Sequence, residues 1–409
     1  MAYIVAVNPV FLTAAGMPLE GAILATCWSA TLATLLMAFL ANYPIALAPG
    51  MGLNAFFAYG VCLGAGVPWQ TALGLVFWAG ILFLLLTVTG ARKLLVAAVP
   101  KVLRLSGAVG IGLFIAFIGF QHGGLVRADP NTMLGLGDLT SAPALVALVG
   151  LAVGFGLMAA RVPTAIFWAM AASFAAALFL GLVHWPEAIF SWPEGPLPGF
   201  SIDLLGALRL EYLPLILVIL FFDLFDTLGT LLGVAYEGGF LEDGELPRIE
   251  RALLADSAGS VGGALLGTST VTSFIESGAG VGVGARTGLA NLVTAGLFLV
   301  APFATPLVAV IGQGAGDGLN PVTAPALILV GALMVRAVRE IDWREMTEAL
   351  PAFATAIVMP LSFSIAHGLA AGIAAYVLAK SAAGRWREVH WLLYVLAVLF
   401  LARYAWLPV

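Results

Sequence analysis

Four carboxylates stand where a water-avoiding stretch of chain should carry none. Of the 22 acidic residues, Asp223, Asp226, Asp256 and Glu276 sit well inside apolar runs. A carboxylate at the centre of a bilayer costs about 2.5–3.5 kcal/mol on insertion scales, so each must face a wet cavity, a partner or a proton. Asp223 and Asp226 lie in LVILFFDLFDTLGTLLG. On a helix this i, i+3 spacing puts both on one face, about one turn apart. Thr227 and Thr230 add hydroxyls, and Gly229 permits close helix approach. The pattern fits a carboxylate pair that binds a polar solute or carries a proton, with Asp226, beside the Thr-Leu-Gly-Thr patch, ahead of Asp223. The competing reading is a buried structural network of acids, threonines and backbone. Asp256, in RALLADSAGSVGGALLG, is divided equally between a proton relay and a structural bond to a hydroxyl or a backbone end.

Glu276 lies in GTSTVTSFIESGAGVGVGARTG. The small, β-branched and hydroxyl residues that open this motif favour extended chain. Extended backbone at membrane depth survives only where protein or a wet cavity satisfies it. A half-helix starting near Glu276 would aim free N–H groups into that cavity. Such a site suits a polar, planar or anionic ligand; a glycine-rich packing seam is the alternative. The first half carries a similar interruption, NYPIALAPGMGLNAFFAYG. Pro44 and Pro49 remove two backbone donors and push the residues before them towards extended conformations. Gly50 and Gly52 then open a helix through Asn54, Phe56, Phe57 and Tyr59. Asn54 offers a bidentate amide and the aromatics a stacking surface, although core packing is the better reading for each ring alone. Arg286 is expected to cap a helix C-terminus or face the interface. His122 and His367 lie near span ends and receive no role.

The elements that hold these residues must be membrane helices. The chain has 409 residues, 62% hydrophobic and only 10% charged, and a mean hydropathy of +1.07. Soluble domains carry roughly 45–50% apolar and about 25% charged residues, which excludes a soluble globular enzyme. Fourteen spans of about 20 residues would use roughly 280 residues and leave no room for a separate soluble domain. The runs are too long and continuous for a membrane β-barrel. They fall at 20–41, 44–64, 68–90, 105–121, 141–160, 163–183, 211–236, 250–266, 268–284, 286–312, 321–338, 349–366, 368–383 and 390–406. A stub at 1–14 precedes them and reads as the second half of a first helix, too short for a full span and without the features of a secretory signal. The stretch 349–383 reads as two spans or a re-entrant pair, so fourteen spans are expected.

The longest polar interruption, 184–210, is rich in Trp, Phe and Pro and suits an interfacial linker between two halves. Seven spans on each side would make the halves inverted in topology, and paired interrupted segments in corresponding places point to a transporter binding site. Arg92/Lys93/Lys101/Arg104, Arg161, Arg248/Arg251, Arg336/Arg339/Arg344 and Lys380/Arg385/Arg387 hold most of the 17 basic residues. Threading alternate spans puts the first four clusters on one face, and the last joins them if 349–383 is a hairpin; by the positive-inside bias that face is cytoplasmic. The loops at 123–140 and 184–205 then lie outside, with Asp129, Asp138, Glu187, Glu194 and Asp203 against the single Arg127. Cys27 and Cys62 give neither a disulfide framework nor metal-ligand spacing.

Taken together, ALAPGMGLNAFF, FFDLFDTLGTL, GTSTVTSFIESGAG and ARTGL resemble the azaguanine-like branch of the nucleobase:cation symporter-2 family, the adenine and guanine/hypoxanthine permeases. The resemblance runs over nearly the whole chain. It implies an all-α polytopic fold like that of uracil permease: fourteen segments in two inverted repeats of seven, with short strands in spans 3 and 10 meeting at mid-membrane. It further implies a core built from 1–90 (spans 1–4) and 211–312 (spans 8–11). The gate would comprise 91–183 (spans 5–7) and 313–409 (spans 12–14), with 184–210 as linker. Carried over by motif, the span-8 carboxylate is Asp226, the span-10 carboxylate Glu276 and the span-3 amide Asn54. Three departures stand out: relatives usually have a stretch before MAYIV, the segment ESGAGVGVGARTG is less Ala-rich here, and His367 stands where relatives often carry an acid.

The expected activity is proton-coupled uptake of a purine base such as adenine, guanine or hypoxanthine across the plasma (inner) membrane, by alternating access. Glu276, Asp226, Asn54, Phe56, Ser277 and Thr227 would bind the base, and Asp226, Glu276, Asp223 and Asp256 would serve the proton. An ionised Glu276 would accept from the ring N–H and amino donors of the base. No cofactor, metal or nucleic acid is expected, and a homodimer is compatible with the reading without being required by it. Xanthine, uracil or uric acid on the same fold is the alternative. An anion exchanger should place cations at the breaks, yet no Lys or Arg falls between Asn54 and Phe57 or between Thr268 and Glu276. A magnesium-dependent intramembrane enzyme using Asp223 and Asp226 would need more acids and basic phosphate ligands than the neighbouring Leu and Phe supply.

Overall fold

The computed structural model describes residues 1–91, 99–193, 195–242, 246–312, 314–316 and 318–406; Arg92, Lys93 and Glu194 lie outside them. Helices dominate. The first half runs α1 (Ile4–Ala14), α2 (Leu19–Leu36), strand β1 (Leu47–Pro49), α3 (Met51–Ala55), α4 (Trp69–Thr89), α5 (Lys101–His122), α6 (Ala142–Ala159) and α7 (Ala165–Phe179). A hairpin of β2 (Val126–Asp129) and β3 (Met133–Leu136) follows α5. The second half runs α8 (Leu213–Gly238), α9 (Ile249–Leu266), β4 (Val271–Ser273), α10 (Ser277–Gly282), α11 (Leu289–Val300), α12 (Thr305–Gly312), α13 (Ala324–Met334), α14 (Met346–Leu361), α15 (Ile365–Ala382) and α16 (Trp391–Trp406).

Seven of these segments are long and apolar enough to cross a membrane, among them Leu19–Ala41, Lys101–His122 and Leu210–Tyr236. Shorter apolar helices, such as Ile4–Ala14 and Met51–Gly64, complete the bundle. The stretch 349–383 resolves into α14 and α15, which pack on each other across a turn where Phe363 adopts a left-handed backbone, φ 51°. Among its described residues the linker after α7 contains only short 3₁₀ turns, and it lies on α2, α4 and α9: Asp203 accepts from Thr71 through its side chain, and its amide donates to the Gln70 carbonyl. Helix packing concentrates in two groups. One joins α1, α2, α4, α8, α9 and α11, and the other joins α5 with α13, α14 and α15.

Both interrupted segments end in the strands that the sequence favours, and the strands pair antiparallel as Leu47↔Ser273, Ala48↔Thr272 and Pro49↔Val271. Two bonds close the ladder symmetrically: Gly50 N–H donates to the Thr270 carbonyl and Phe274 N–H to the Ala46 carbonyl, each at 3.0 Å. Every residue of both strands is buried. Three-residue strands would leave unpaired backbone groups in an apolar interior, which is costly. The preceding helix of each half supplies a hydroxyl that meets this cost. Thr34 on α2 accepts from Leu47 N–H at 3.0 Å and donates to the Leu47 carbonyl at 2.8 Å. Ser260 on α9 accepts from Val271 N–H at 3.2 Å and lies 2.8 Å from the Val271 carbonyl. Corresponding helices of the two halves thus make the same pair of contacts to corresponding strands.

Candidate functional site

Glu276 follows β4 and immediately precedes α10, at the residue where the chain turns from extended to helical. It is half-buried. Its Oε1 accepts a 2.6 Å bond from the Tyr3 hydroxyl of α1's leading turn, and Oε2 has no hydrogen bond among the described residues. Tyr3 itself is buried. With only six residues, α10 contributes free N–H groups rather than a developed dipole. Its far end is closed by Arg286, whose Nη1 donates to the Val281 and Ala285 carbonyls, the capping role expected for that residue.

The pair on α8 divides its attention. Asp226, half-buried, lies against the Thr272 hydroxyl of β4 and within electrostatic reach of Glu276. Asp223, fully buried, points instead to α9, 3.1 Å from Ser260 Oγ through Oδ2, with Oδ1 unpartnered. Asp256 is its counterpart on α9, accepting at 2.8 Å from Thr227 of α8 and lying against Ser273 of β4. The Thr227 hydroxyl is therefore spent on Asp256 behind the strand. Ser277 Oγ accepts from Ala46 N–H at 3.0 Å and so fastens the first break to the second.

Asn54 on α3 is fully buried and accepts from the Ser269 hydroxyl through Oδ1, while its Nδ2 has no partner. The following segment, Phe56–Gly64, is wound as a π-helix, and Phe56 and Phe57 are packed into the core. Tyr59, on the same segment, reaches across to His122 of α5 at 2.9 Å. Gly50 stands where the two breaks touch: a Cβ there would lie 2.9 Å from Thr272 Oγ1 and 3.0 Å from its Cγ2.

Glu276, Asp226 and the Asn54 amide are thus gathered around the β1–β4 pair, with Asp223 and Asp256 one layer behind. Sequence reasoning did not single out Tyr3, Ser260, Ser269 or Thr34. Their signal was a polar residue inside an apolar run, which hydroxyls give too weakly, since Ser and Thr often satisfy themselves on their own helix. No group of three or more His, Cys, Asp or Glu able to hold a metal ion occurs among the described residues.

The arrangement matches known proteins over its whole length. A chain of 43% identity, the guanine/hypoxanthine permease PbuO of Bacillus subtilis, aligns with 98% of this sequence and 93% of its own. The adenine permease AdeQ of Escherichia coli is 39% identical, over 98% of this chain and 89% of its own. Among solved structures, the transmembrane domain of the cyanobacterial bicarbonate transporter BicA superposes with a TM-score of 0.62 at 17% identity, covering 91% of this chain and 95% of that one. At that identity it shows the fold alone, a multi-pass helical membrane transporter fold with short strands. The xanthine/uracil permease profile, described as the permease family, matches residues 1–370. The chain is a transport protein rather than an enzyme, and it belongs to that permease family, on its azaguanine-like branch.

Proposed function

We propose that this protein takes up purine bases (guanine, hypoxanthine or adenine) together with protons across the plasma membrane, by alternating access. The observation that carries the reading is Glu276: a carboxylate at the junction of β4 and α10, held on one oxygen by Tyr3, with the other oxygen open. The names of relatives matching nearly the whole chain support a purine substrate. A purine presents ring N–H and amino donors beside acceptor nitrogens on a flat body. Glu276 Oε2 accepts from the donors, and the unpartnered Asn54 Nδ2 supplies a donor to a ring nitrogen. Asp226 completes the polar edge. Ser277 and Thr227 act from behind, by holding Ala46 and Asp256 in place, and Phe56 gives the break its packed floor.

Residues 1–90 and 211–312 form the moving core and 91–183 and 313–409 the gate, with the basic loops cytoplasmic. The coupling proton is carried by one of the carboxylates Asp223, Asp226, Asp256 and Glu276. No residue is assigned to a dimer contact.

Glu276→Gln removes the ionised acceptor while keeping the shape. A hydrogen bond to a charged group contributes about 1.5–3 kcal/mol, so purine affinity should fall by about one to two orders of magnitude. Radiolabelled guanine and adenine uptake, competed by a panel including xanthine and uracil, measures this; normal uptake by a Glu276→Gln protein that reaches the membrane refutes the assignment.

A further inference from the structure

Ser260 has one hydroxyl hydrogen and three polar neighbours. Its oxygen accepts from Val271 N–H at 3.2 Å, lies 2.8 Å from the Val271 carbonyl, and lies 3.1 Å from Asp223 Oδ2. A carbonyl oxygen can only accept, and the contact to Val271 is the shorter of the two, so we place the single hydrogen there. The remaining contact is then a hydrogen bond only if the hydrogen on it comes from Asp223, that is, if Asp223 is a neutral acid donating to Ser260. The surroundings agree: Asp223 and Ser260 are 1% and 0% exposed, and an ionised Asp223 would face a serine oxygen with no hydrogen to give, beside an Oδ1 with no partner. The reciprocal contact forces nothing of the kind, because Thr227 is free to donate its hydrogen to Asp256.

The two halves differ here in a telling way. Thr34 clamps Leu47 with the same pair of bonds and has no carboxylate bonded to it among the described residues. Holding a three-residue strand therefore does not require an acid. Among the described residues, an acid meets the clamp hydroxyl only in the half whose strand leads into Glu276.

We propose that Asp223 carries the coupling proton and that Ser260, as a positioning residue, reports its presence to β4, so that deprotonation strips the clamp from the strand that places Glu276. When the Asp223 proton leaves towards the cytoplasm, Ser260 turns its hydrogen to the new carboxylate. The Val271 carbonyl then loses its donor, and the binding edge loosens and releases the base. This deepens the purine-uptake reading and rests on it for its substrate. The other titratable or charged groups on the elements around α8 are Asp226 and Tyr236 on the same helix, Glu250, Arg251 and Asp256 on α9, Glu276 beside β4 and α10, and Lys101, Arg104 and His122 of α5, with the Arg104 guanidinium over the Phe225 ring at 5.7 Å. Glu211 and Tyr212 precede the helix at its distant end, and α4 carries no charged residue.

The test uses the full chain in proteoliposomes. Asp223→Asn is neutral at every pH and keeps a donor for Ser260. It should still catalyse exchange of labelled guanine while losing accumulation driven by a pH gradient, about tenfold per unit of pH for one proton per base. Gradient-driven accumulation by this variant at the wild-type level overturns the proposal. Ser260→Ala should flatten the dependence of guanine affinity on pH. Thr34→Ala, which removes the equivalent clamp without an acid, should weaken binding yet leave the pH profile as in wild type; identical profiles for the two variants overturn the proposal. Infrared spectroscopy of the protein without any base reads the proton directly: the carbonyl stretch of a protonated carboxyl should disappear in Asp223→Asn and persist in Asp256→Asn. If the wild type moves no nucleobase, the purine reading fails, while the infrared band still decides whether Asp223 holds a proton.

Discussion

At the scale of single residues, the site turns on how few atoms are left uncommitted. Ser277, Thr227, Ser269 and Ser260 each spend their hydroxyl on the frame, so that, beside the remaining oxygens of Asp223, Asp256 and Ser273 behind the strands, the groups left for a ligand are one oxygen of Glu276, the Asn54 amide nitrogen and the half-buried Asp226. Tyr3 decides which oxygen of Glu276 is open. Its 2.6 Å bond lies within the short range typical of O–H···O⁻ contacts, as expected of a phenol facing a carboxylate. Tyr3→Phe keeps the packing and removes only the hydroxyl. Glu276 then gains a second rotatable edge and an unmet acceptor, and the Michaelis constant for guanine should rise about tenfold, in line with the loss of one charge-assisted bond, while the maximal rate changes far less. Kinetics of initial uptake separate the two parameters, and an unaltered Michaelis constant would remove Tyr3 from the site.

At the scale of elements, the chain is built around the cost of breaking helices in an apolar setting. The prolines and glycines of NYPIALAPGMG and the β-branched and hydroxyl run GTSTVTS made both breaks legible in the sequence, because each residue type has a local reason to leave the helix. The acids were legible for a different reason, their expense at depth. What could not be read was the pairing. That Asp223 faces Ser260 while Asp226, one turn along, faces Thr272 depends on how α8 is rotated against α9 and β4, and i, i+3 spacing on one helix carries no information about its neighbours. The hairpin β2–β3 was likewise unread, being short and set in a polar loop whose turn is fixed by Asp129 accepting from the Asn131 and Thr132 amides. The contact between the breaks yields a test. The backbone of Gly50, φ −73° and ψ 124°, suits any residue, so space alone demands glycine there. Gly50→Val would drive methyl groups into Thr272, which faces Asp226, and uptake should be lost while Gly50→Ala keeps a reduced rate. Uptake assays normalised to membrane-inserted protein check this; a fully active Gly50→Val variant would show that the strands need not touch.

At the scale of the whole molecule, a mechanism of alternating access requires contacts that part and contacts that hold. The ionic network at the basic end holds. Glu388 accepts from Arg385 at 2.7 Å and from Lys380 at 3.0 Å, and these bonds, Arg385 first, keep its carboxyl down at about 2. A depressed carboxylate stabilises at every pH above its ordinary range and loses that contribution only as the pH falls towards its folded value, so this network stays intact throughout about pH 5 to 8. A pH effect on transport within that range therefore does not come from this network. On the proposed alternating-access reading, the contact that must part is Tyr59–His122. It joins the π-wound segment after α3 to the end of α5, between the two packing groups, and is surrounded by edge-on rings of Phe11 and Phe363. With the basic loops cytoplasmic, as proposed, this bond closes the outer side. Tyr59→Phe leaves the ring and removes the bond, worth about 1 kcal/mol, which shifts the balance towards the outward-open form by about fivefold. Cys62, half-buried and one turn beyond Tyr59, reports the shift, since Cys27, the other cysteine, is fully buried. A membrane-impermeant maleimide added outside should label Tyr59→Phe several times faster than wild type, and saturating guanine should change the rate in both. Equal labelling of the two proteins would place the outer gate somewhere other than this tyrosine and histidine.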